Sequence, residues 1–304
     1  MIHVCTVGVA ACFLLQSLRS LFAENACVNR SGLLAQSSFQ LGIALFFYSV
    51  FPWWRLGFFA RAATLCMLAI AGFVNLILAL RGVSSFTQLR PVRASEHLFA
   101  ALALILLIFS SAIFIWPTPR DATSISSPVN EGNWHVAHGG PLGITNHHNS
   151  VVEQRYAMDS VRLGSDGRSH VSPADVLSSY FAWGSEVISP VEGIVVSVVD
   201  GIPDMEIGNM DKYNPAGNHV LLETDSGVRV LIAHFQKDTL VVQEGNKVAV
   251  GDVLGKVGNS GNSSEPHIHL QVMKCHNGGW HGVPFKIDGK EYRRGRIVHA
   301  GSYR

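Results

Sequence analysis

Two kinds of hydrophobic pattern divide the chain: long apolar runs before residue 117 and short alternating runs after it. Residues 31–54, 62–80 and 98–116 contain no Asp, Glu, Lys or Arg, and each is long enough to cross about 30 Å of hydrocarbon as a helix. Residues 1–18 are also free of these residue types. Because Arg19 follows them and no basic residue precedes them, they fit a fourth membrane helix better than a cleaved signal peptide. The pattern predicts a multi-pass helical region of about four helices over residues 1–116.

The loop charges predict the orientation of this region. Five arginines follow the first and third predicted helices, against three that follow the second and fourth. Because cytoplasmic loops carry the excess of Lys and Arg, this distribution places the chain after residue 116 outside the cytoplasm.

The pattern after residue 116 predicts a linker followed by a β domain. Residues 117–133 are rich in Pro, Ser and Thr without an apolar period, which predicts a linker. Residues 134–304 then show short alternating runs separated by Gly, Asn, Asp and Pro. This pattern predicts an all-β, mainly antiparallel sandwich or barrel. The predicted strands are residues 193–201, 219–227, 228–235, 238–245 and 267–273.

Composition excludes several functional classes. The 304 residues carry a net charge of +1, and no cluster of Lys and Arg forms the basic footprint that nucleic acid requires. Cys275 is the one cysteine after residue 116, so neither a disulfide framework nor a cysteine-based zinc site is expected there.

Histidines offer the candidate chemistry. His267 and His269 are two apart in a predicted strand, so both side chains project to one face and can converge on one ion. The preceding residues 258–266 form a flexible, turn-rich run typical of a functional loop on a rigid sheet. Most of the 14 histidines, His138 among them, have no partner at metal-binding spacing and are assigned structural or surface roles.

The motif HFQKDTLVVQEGNKVAVGDVLGKVGNSGNSSEPHIHLQV, with SPVEGIVVSVVDG upstream, resembles the lysostaphin/LytM family of zinc metallopeptidases over roughly residues 139–272. The resemblance implies a LytM-type duplicated β motif and a Zn²⁺ cofactor. It also implies that His269 is a zinc ligand and that His234 and His267 are the catalytic pair. A zinc site with three protein ligands and an open position for water suits this chemistry.

The chain departs from the family at the HxxxD motif that supplies the other two ligands. Asp159 is present, but Arg155 stands where the histidine belongs. The upstream N-x-H element and the QRYAxD motif resemble a divergent branch in which a histidine of that element appears in the ligand's place. We expect Asp159 and His148 to bind zinc, with His147 as the second choice.

Three functions are compatible with these features. The first is a membrane-anchored endopeptidase that cuts peptides of bacterial peptidoglycan, located in the inner (cytoplasmic) membrane with its β domain on the periplasmic side. The second is a catalytically silent domain of the same type that binds cell wall or activates a partner hydrolase. The third is a lipoyl or biotinyl carrier, which SPVEG and VAVGDVLG resemble, although the lysine-bearing hairpin is missing.

Overall fold

The chain divides into two compact units, Met1–Trp116 and Pro117–Arg304. The structure, a computed structural model, describes residues 37–46, 52–81, 101–102, 105 and 121–300. In the first unit these residues form helix α1 (Ser37–Phe46), a 3-10 turn (Trp53–Arg55) and helix α2 (Gly57–Arg81).

Among the described residues, α2 is the one helix long and apolar enough to cross a membrane, and it contains the predicted span 62–80. Helix α1 covers ten residues of the predicted span 31–54. Residues 1–18, and most of residues 98–116, lie outside the described part of the chain. Of the four predicted membrane helices, the structure therefore supports one.

The second unit confirms the prediction of a mainly antiparallel β domain. Its described residues form 13 strands. In chain order they are β1 Thr123–Ile125, β2 Asn133–His138, β3 Met158–Leu163, β4 Glu186–Ile188, β5 Gly193–Val199, β6 Asn218–Glu223, β7 Val228–Phe235, β8 Lys247–Val248, β9 Val253–Lys256, β10 Ile268–His276, β11 Gly279–Gly282, β12 Phe285–Ile287 and β13 Ile297–His299.

Nine of the strands described in residues 121–300 share one sheet. Its order is β13-β2-β3-β10-β7-β6-β5-β8, and β11 also pairs with β10. Two smaller pairs, antiparallel β4-β9 and parallel β1-β12, complete the described β structure. Strands β3, β10 and β7 therefore lie side by side in the middle of the large sheet.

Alternation of side chains builds the core. Val220 and Leu222 of β6, and Val230 and Ile232 of β7, are fully buried because every second residue of a strand points to the same face. These residues belong to a cluster that extends to Leu270 of β10. Burying such side chains contributes roughly 1.5–3 kcal/mol each.

The predicted linker 117–133 is wrong over its second half. Strand β1 pairs in parallel with β12, and Ile125 and Val129 lie in the hydrophobic core. The backbone carbonyl of Pro128 also accepts a hydrogen bond from the backbone N–H of Ile188 at 2.9 Å. Ile125 and Val129 lie among Ser, Thr and Pro residues in the sequence, but their packing in the core makes this segment part of the β domain.

The predicted strand at residues 238–245 is also wrong. Asp238 has a left-handed backbone (φ 59°), and the Asp200 carboxylate accepts hydrogen bonds from the backbone N–H groups of Asp238 and Leu240. These side-chain bonds replace strand pairing at Asp238 and Leu240, and the apolar alternation of this segment does not produce a strand.

Candidate metal centre and its histidines

Sheet register aligns three polar residues on neighbouring strands. Asp159 of β3 lies opposite His269 of β10 on one side and opposite His138 of β2 on the other. The pairing of β2 with β3 is interrupted by a bulge between Val136 and His138. Bulges redirect side chains and are frequent next to active sites. The register therefore places one carboxylate between two imidazoles.

A short 3-10 helix places a further histidine, His148, next to Asp159. Asn146 precedes the 3-10 helix His147–Ser150, and its Oδ1 accepts a hydrogen bond from the backbone N–H of His148 at 3.2 Å. The fully buried Asn146 amide also donates to the carbonyls of Gly140, Arg155 and Ala157. This capping side chain fixes the turn and hence the position of the His148 ring.

Three ligand atoms converge at this point. Nε2 of His148 lies 2.8 Å from Oδ2 of Asp159, and Nδ1 of His269 lies 2.9 Å from Oδ1 of the same carboxylate. All three residues are buried, and their ligand atoms lie within 4.8 Å of one another. The structure thus brings together the three residues that the sequence assigned to zinc.

Two glutamines define which imidazole nitrogens face the carboxylate. Nδ1 of His148 is 3.1 Å from Oε1 of Gln154, and Nε2 of His269 is 3.4 Å from Oε1 of Gln271. An amide oxygen only accepts hydrogen bonds, so these two nitrogens carry the hydrogens. In the neutral rings the lone pairs of the opposite nitrogens then point at Asp159. Lone pairs facing a carboxylate need a proton or a cation between them.

The electrostatics keep Asp159 ionised. Burial by itself raises the pKa of Asp159, but the charges and hydrogen bonds of His148 and His267 outweigh it and hold this pKa well below its usual value. A buried carboxylate with two imidazole nitrogens is a donor set of the kind that catalytic zinc takes in proteins. These residues therefore fit a zinc ion.

His234 lies beside this cluster at an irregular point of β7. Its backbone is left-handed (φ 69°), and the register between β6 and β7 shifts there. Nδ1 of His234 donates to the carbonyl of Ser260 at 2.8 Å, which leaves Nε2 as the acceptor nitrogen. Burial, followed by the nearby His267 and His269, lowers the pKa of His234 well below its usual value, so the ring is neutral at pH 7.

His267 stands next to His234, with 4.7 Å between the ring centroids. Its Nδ1 donates to the carbonyl of Glu265 at 2.8 Å, and its Nε2 lies 3.6 Å from Oδ1 of Asp159. Burial lowers the pKa of His267, but the negative charge of Asp159 and the hydrogen bonds more than compensate, and the net pKa is raised. The two histidines thus differ in their affinity for a proton.

The sequence predicts a flexible loop at residues 258–266, but in the structure buried side-chain hydrogen bonds hold this loop in place. Asn259, Ser260 and Ser263 are fully buried. Ser260 Oγ donates to the carbonyl of Phe235 at 2.7 Å, and Ser263 Oγ donates to Oδ1 of Asn259 at 2.7 Å. These bonds hold the Ser260 carbonyl that orients His234.

Sequence reasoning missed several members of the cluster. The sequence predicts a structural or surface role for His138, yet its Nδ1 lies 3.8 Å from Oδ2 of Asp159 and 3.0 Å from Nδ1 of His147. His138 reaches Asp159 because of the bulge in β2, and the local sequence pattern does not predict this bulge. Gln154 and Gln271 lie within the motifs already noted but carried no assigned role. Arg155 is exposed, away from the position of a ligand.

Comparison with known proteins gives a family match inside the β domain. Residues 180–283 match Peptidase family M23. This segment contains His234, His267 and His269 but begins after His148 and Asp159, so the latter two rest on geometry. An uncharacterised metalloprotease of Buchnera aphidicola subsp. Baizongia pistaciae (strain Bp) is 32% identical over 89 residues, 28% of this chain. The match spans only 23% of that relative's length.

Solved structures that the chain matches in part include a zinc-containing peptidase from Vibrio cholerae and the catalytic domain of lysostaphin from Staphylococcus simulans. The first is 18% identical with a TM-score of 0.26, over 62% of this chain and 39% of that one. The second is 19% identical with a TM-score of 0.30, over 50% of this chain and 88% of that one.

Proposed function

We propose that the chain is a zinc-dependent endopeptidase that hydrolyses peptide bonds in bacterial peptidoglycan, because residues 180–283 match Peptidase family M23. The observation that carries this proposal is the convergence of His148, Asp159 and His269 beside a neutral His234. The family match supports a metallopeptidase, and the substrate follows from the resemblance to lysostaphin-type enzymes.

In this proposal, Nε2 of His148, Nδ1 of His269 and the Asp159 carboxylate would hold the zinc ion. Zinc in such a site lowers the pKa of a bound water towards about 7 and polarises the carbonyl of the scissile peptide. Gln154 and Gln271 keep the two ligand nitrogens free of hydrogen, and the carboxylate supplies the negative charge that offsets the cation.

His234 and His267 have different proposed roles, one as a proton acceptor and the other as a hydrogen-bond donor. His234 is neutral, its Nδ1–H is committed to the Ser260 carbonyl, and its Nε2 can therefore accept a proton from the attacking water. His267 holds its proton more tightly because Asp159 is near, so it can donate a hydrogen bond to the oxygen that becomes negative during attack. The two roles match the opposite directions of the two pKa shifts.

We also propose that the first unit is a membrane anchor of about four helices in the inner membrane, with the β domain on the periplasmic side. Helix α2 and the arginine distribution support this arrangement. Such an anchor would hold the β domain beside peptidoglycan, its proposed substrate. The lysine-bearing hairpin of a carrier domain has no counterpart in the turn between β8 and β9, which contains Ala249, Val250, Gly251 and Asp252.

The alternative function, a catalytically silent domain that binds cell wall or activates a partner hydrolase, predicts no hydrolysis. A peptidoglycan digestion assay therefore distinguishes the two functions. Purified sacculi are incubated with the full-length chain in detergent, and released muropeptides are identified by mass spectrometry. We expect Asp159→Asn to abolish release and His234→Ala to lower the rate by about 10²–10⁴-fold with zinc retained. Arg155→Ala is the matched control and keeps activity. A zinc-loaded wild-type chain that releases nothing would refute the enzyme.

A further inference from the structure

A second group of ligand atoms lies on the other side of Asp159. Nδ1 of His138 and Nδ1 of His147 are 3.0 Å apart, and Nδ1 of His138 is 3.8 Å from Oδ2 of Asp159. These three ligand atoms lie within 4.8 Å of one another. Neither His138 nor His147 has a role in the hydrolysis proposed above.

The bulge in β2 and the turn capped by Asn146 position the two histidines of this group. His138 reaches Asp159 through the bulge in β2, and His147 occupies the turn that Asn146 caps. The same turn therefore sends two successive side chains to different places, His148 to one side of the carboxylate and His147 to His138. The His138 and His147 rings meet edge to face at 4.5 Å between centroids.

The spacing suits a metal ion. In a tetrahedral site with bonds of about 2.1 Å, neighbouring ligand atoms are roughly 3.4 Å apart. The Nδ1–Nδ1 distance of 3.0 Å and the Nδ1–Oδ2 distance of 3.8 Å lie on either side of this value. The Oδ2 atom is also 2.8 Å from Nε2 of His148, so one carboxylate borders both groups. In two-metal sites the ions are about 3.5–4 Å apart, a separation that a shared carboxylate can bridge.

We propose that His138, His147 and Asp159 form a second cation site, for zinc or a similar first-row divalent metal, with the Asp159 carboxylate bridging the two ions. Imidazole nitrogen and carboxylate oxygen are ligands that such metals accept. His147 is exposed, so the site opens to solvent and can take up and release its ion. The inference goes beyond the proposed hydrolysis, which requires only the ion held by His148 and His269.

The competing arrangement is a hydrogen bond between the two histidines, in which one Nδ1–H donates to the other Nδ1. That arrangement binds no ion. The full-length chain in detergent is stripped of metal and equilibrated with Zn²⁺ whose free concentration is set by a competing chelator, and bound zinc is counted by plasma mass spectrometry. We expect two zinc ions per wild-type chain and one in His138→Gln and in His147→Gln. His276→Gln, which alters an exposed histidine of β10, is the matched control and keeps two.

Cobalt provides a second readout. Two Co²⁺ ions sharing one carboxylate are magnetically coupled, and the coupling should vanish in His147→Gln. One zinc ion in the wild type, or two in His138→Gln, overturns the second site, while peptidoglycan digestion by that same protein leaves the proposed hydrolysis standing. A chain that binds no zinc at all would refute both.

Discussion

Oε1 of Gln154 lies 3.1 Å from Nδ1 of His148, and this contact decides which nitrogen of the ring faces Asp159. Because the amide oxygen requires a hydrogen on Nδ1, Nε2 is left with its lone pair 2.8 Å from the carboxylate. Gln154 would therefore act on a bound metal ion through His148, without contacting the ion.

Replacing Gln154 should weaken zinc binding. Gln154→Leu removes the acceptor and releases the ring to the wrong tautomer, so we expect the dissociation constant for zinc to rise by about 10–100-fold. Gln154→Glu keeps an acceptor oxygen in place and should restore most of the affinity. Competition with a chromogenic chelator measures both variants. Equal affinity in Gln154→Leu and the wild type would remove the assigned role.

The histidine that replaces the family's missing ligand can be identified by comparing two variants. His148→Ala deletes an atom 2.8 Å from Asp159 and should cost at least one bound zinc ion per chain. Arg155→Ala removes an exposed guanidinium, and the contacts of Arg155 with Asn146 use only its backbone carbonyl, so zinc content should not change. Zinc lost from Arg155→Ala and retained by His148→Ala would reverse the assignment.

Raising the pH should destabilise the metal-free chain through His267. The pKa of this histidine is raised in the folded state, chiefly by Asp159 acting against burial. Its contribution to the free energy of unfolding is therefore fully present below the unfolded pKa of about 6.5 and is lost as the pH rises through the folded pKa.

We expect the thermal midpoint of the chelator-treated wild type to fall as the pH rises above about 6.5 and through the raised pKa of His267, and that of His267→Asn to change less. The pKa values of His234 and His138 are lowered, so both are already neutral in this range and add no slope. Circular dichroism at several pH values measures the difference. Parallel curves for the two proteins would contradict the ion pair.

Gly258 should tolerate no side chain. A Cβ atom there would overlap the backbone of Gln236 and the carboxylate of Asp204, which accepts a hydrogen bond from Asn259. Gly258→Ala should destabilise the β domain by about 1–3 kcal/mol and disturb the loop that orients His234. Gly143→Ala, with nothing within 4 Å of the added carbon, is the control and should unfold at the wild-type temperature.

The sequence revealed the elements whose pattern is local. Strands β5, β6, β7 and β10 follow period-two alternation in sequence. His267 lies immediately before β10 and His269 within it, and both rings face Asp159, as their spacing predicts. The failures come from contacts between distant residues. Strand β1 is three residues long and exists because β12 pairs with it. Segment 238–245 alternates like a strand, but the Asp200 carboxylate accepts the hydrogen bonds of two of its backbone N–H groups, those of Asp238 and Leu240.

The same distinction applies to the metal centre. His147 and His148 are adjacent in sequence, and only the Asn146 cap and the contact with Gln154 show which ring meets Asp159. His138 joins the cluster because a bulge shifts the register of β2 against β3. Such shifts depend on the packing of whole strands, so the alternation within β2 alone could not indicate it.

Anomalous X-ray scattering at the zinc absorption edge tests most directly whether zinc binds between His148, Asp159 and His269. Crystals of the zinc-loaded chain should show a peak within about 2.3 Å of Nε2 of His148, Nδ1 of His269 and an Asp159 oxygen. A chain with no anomalous peak at Asp159, or with its only peak bound by His147 and not by His148, would contradict the claim.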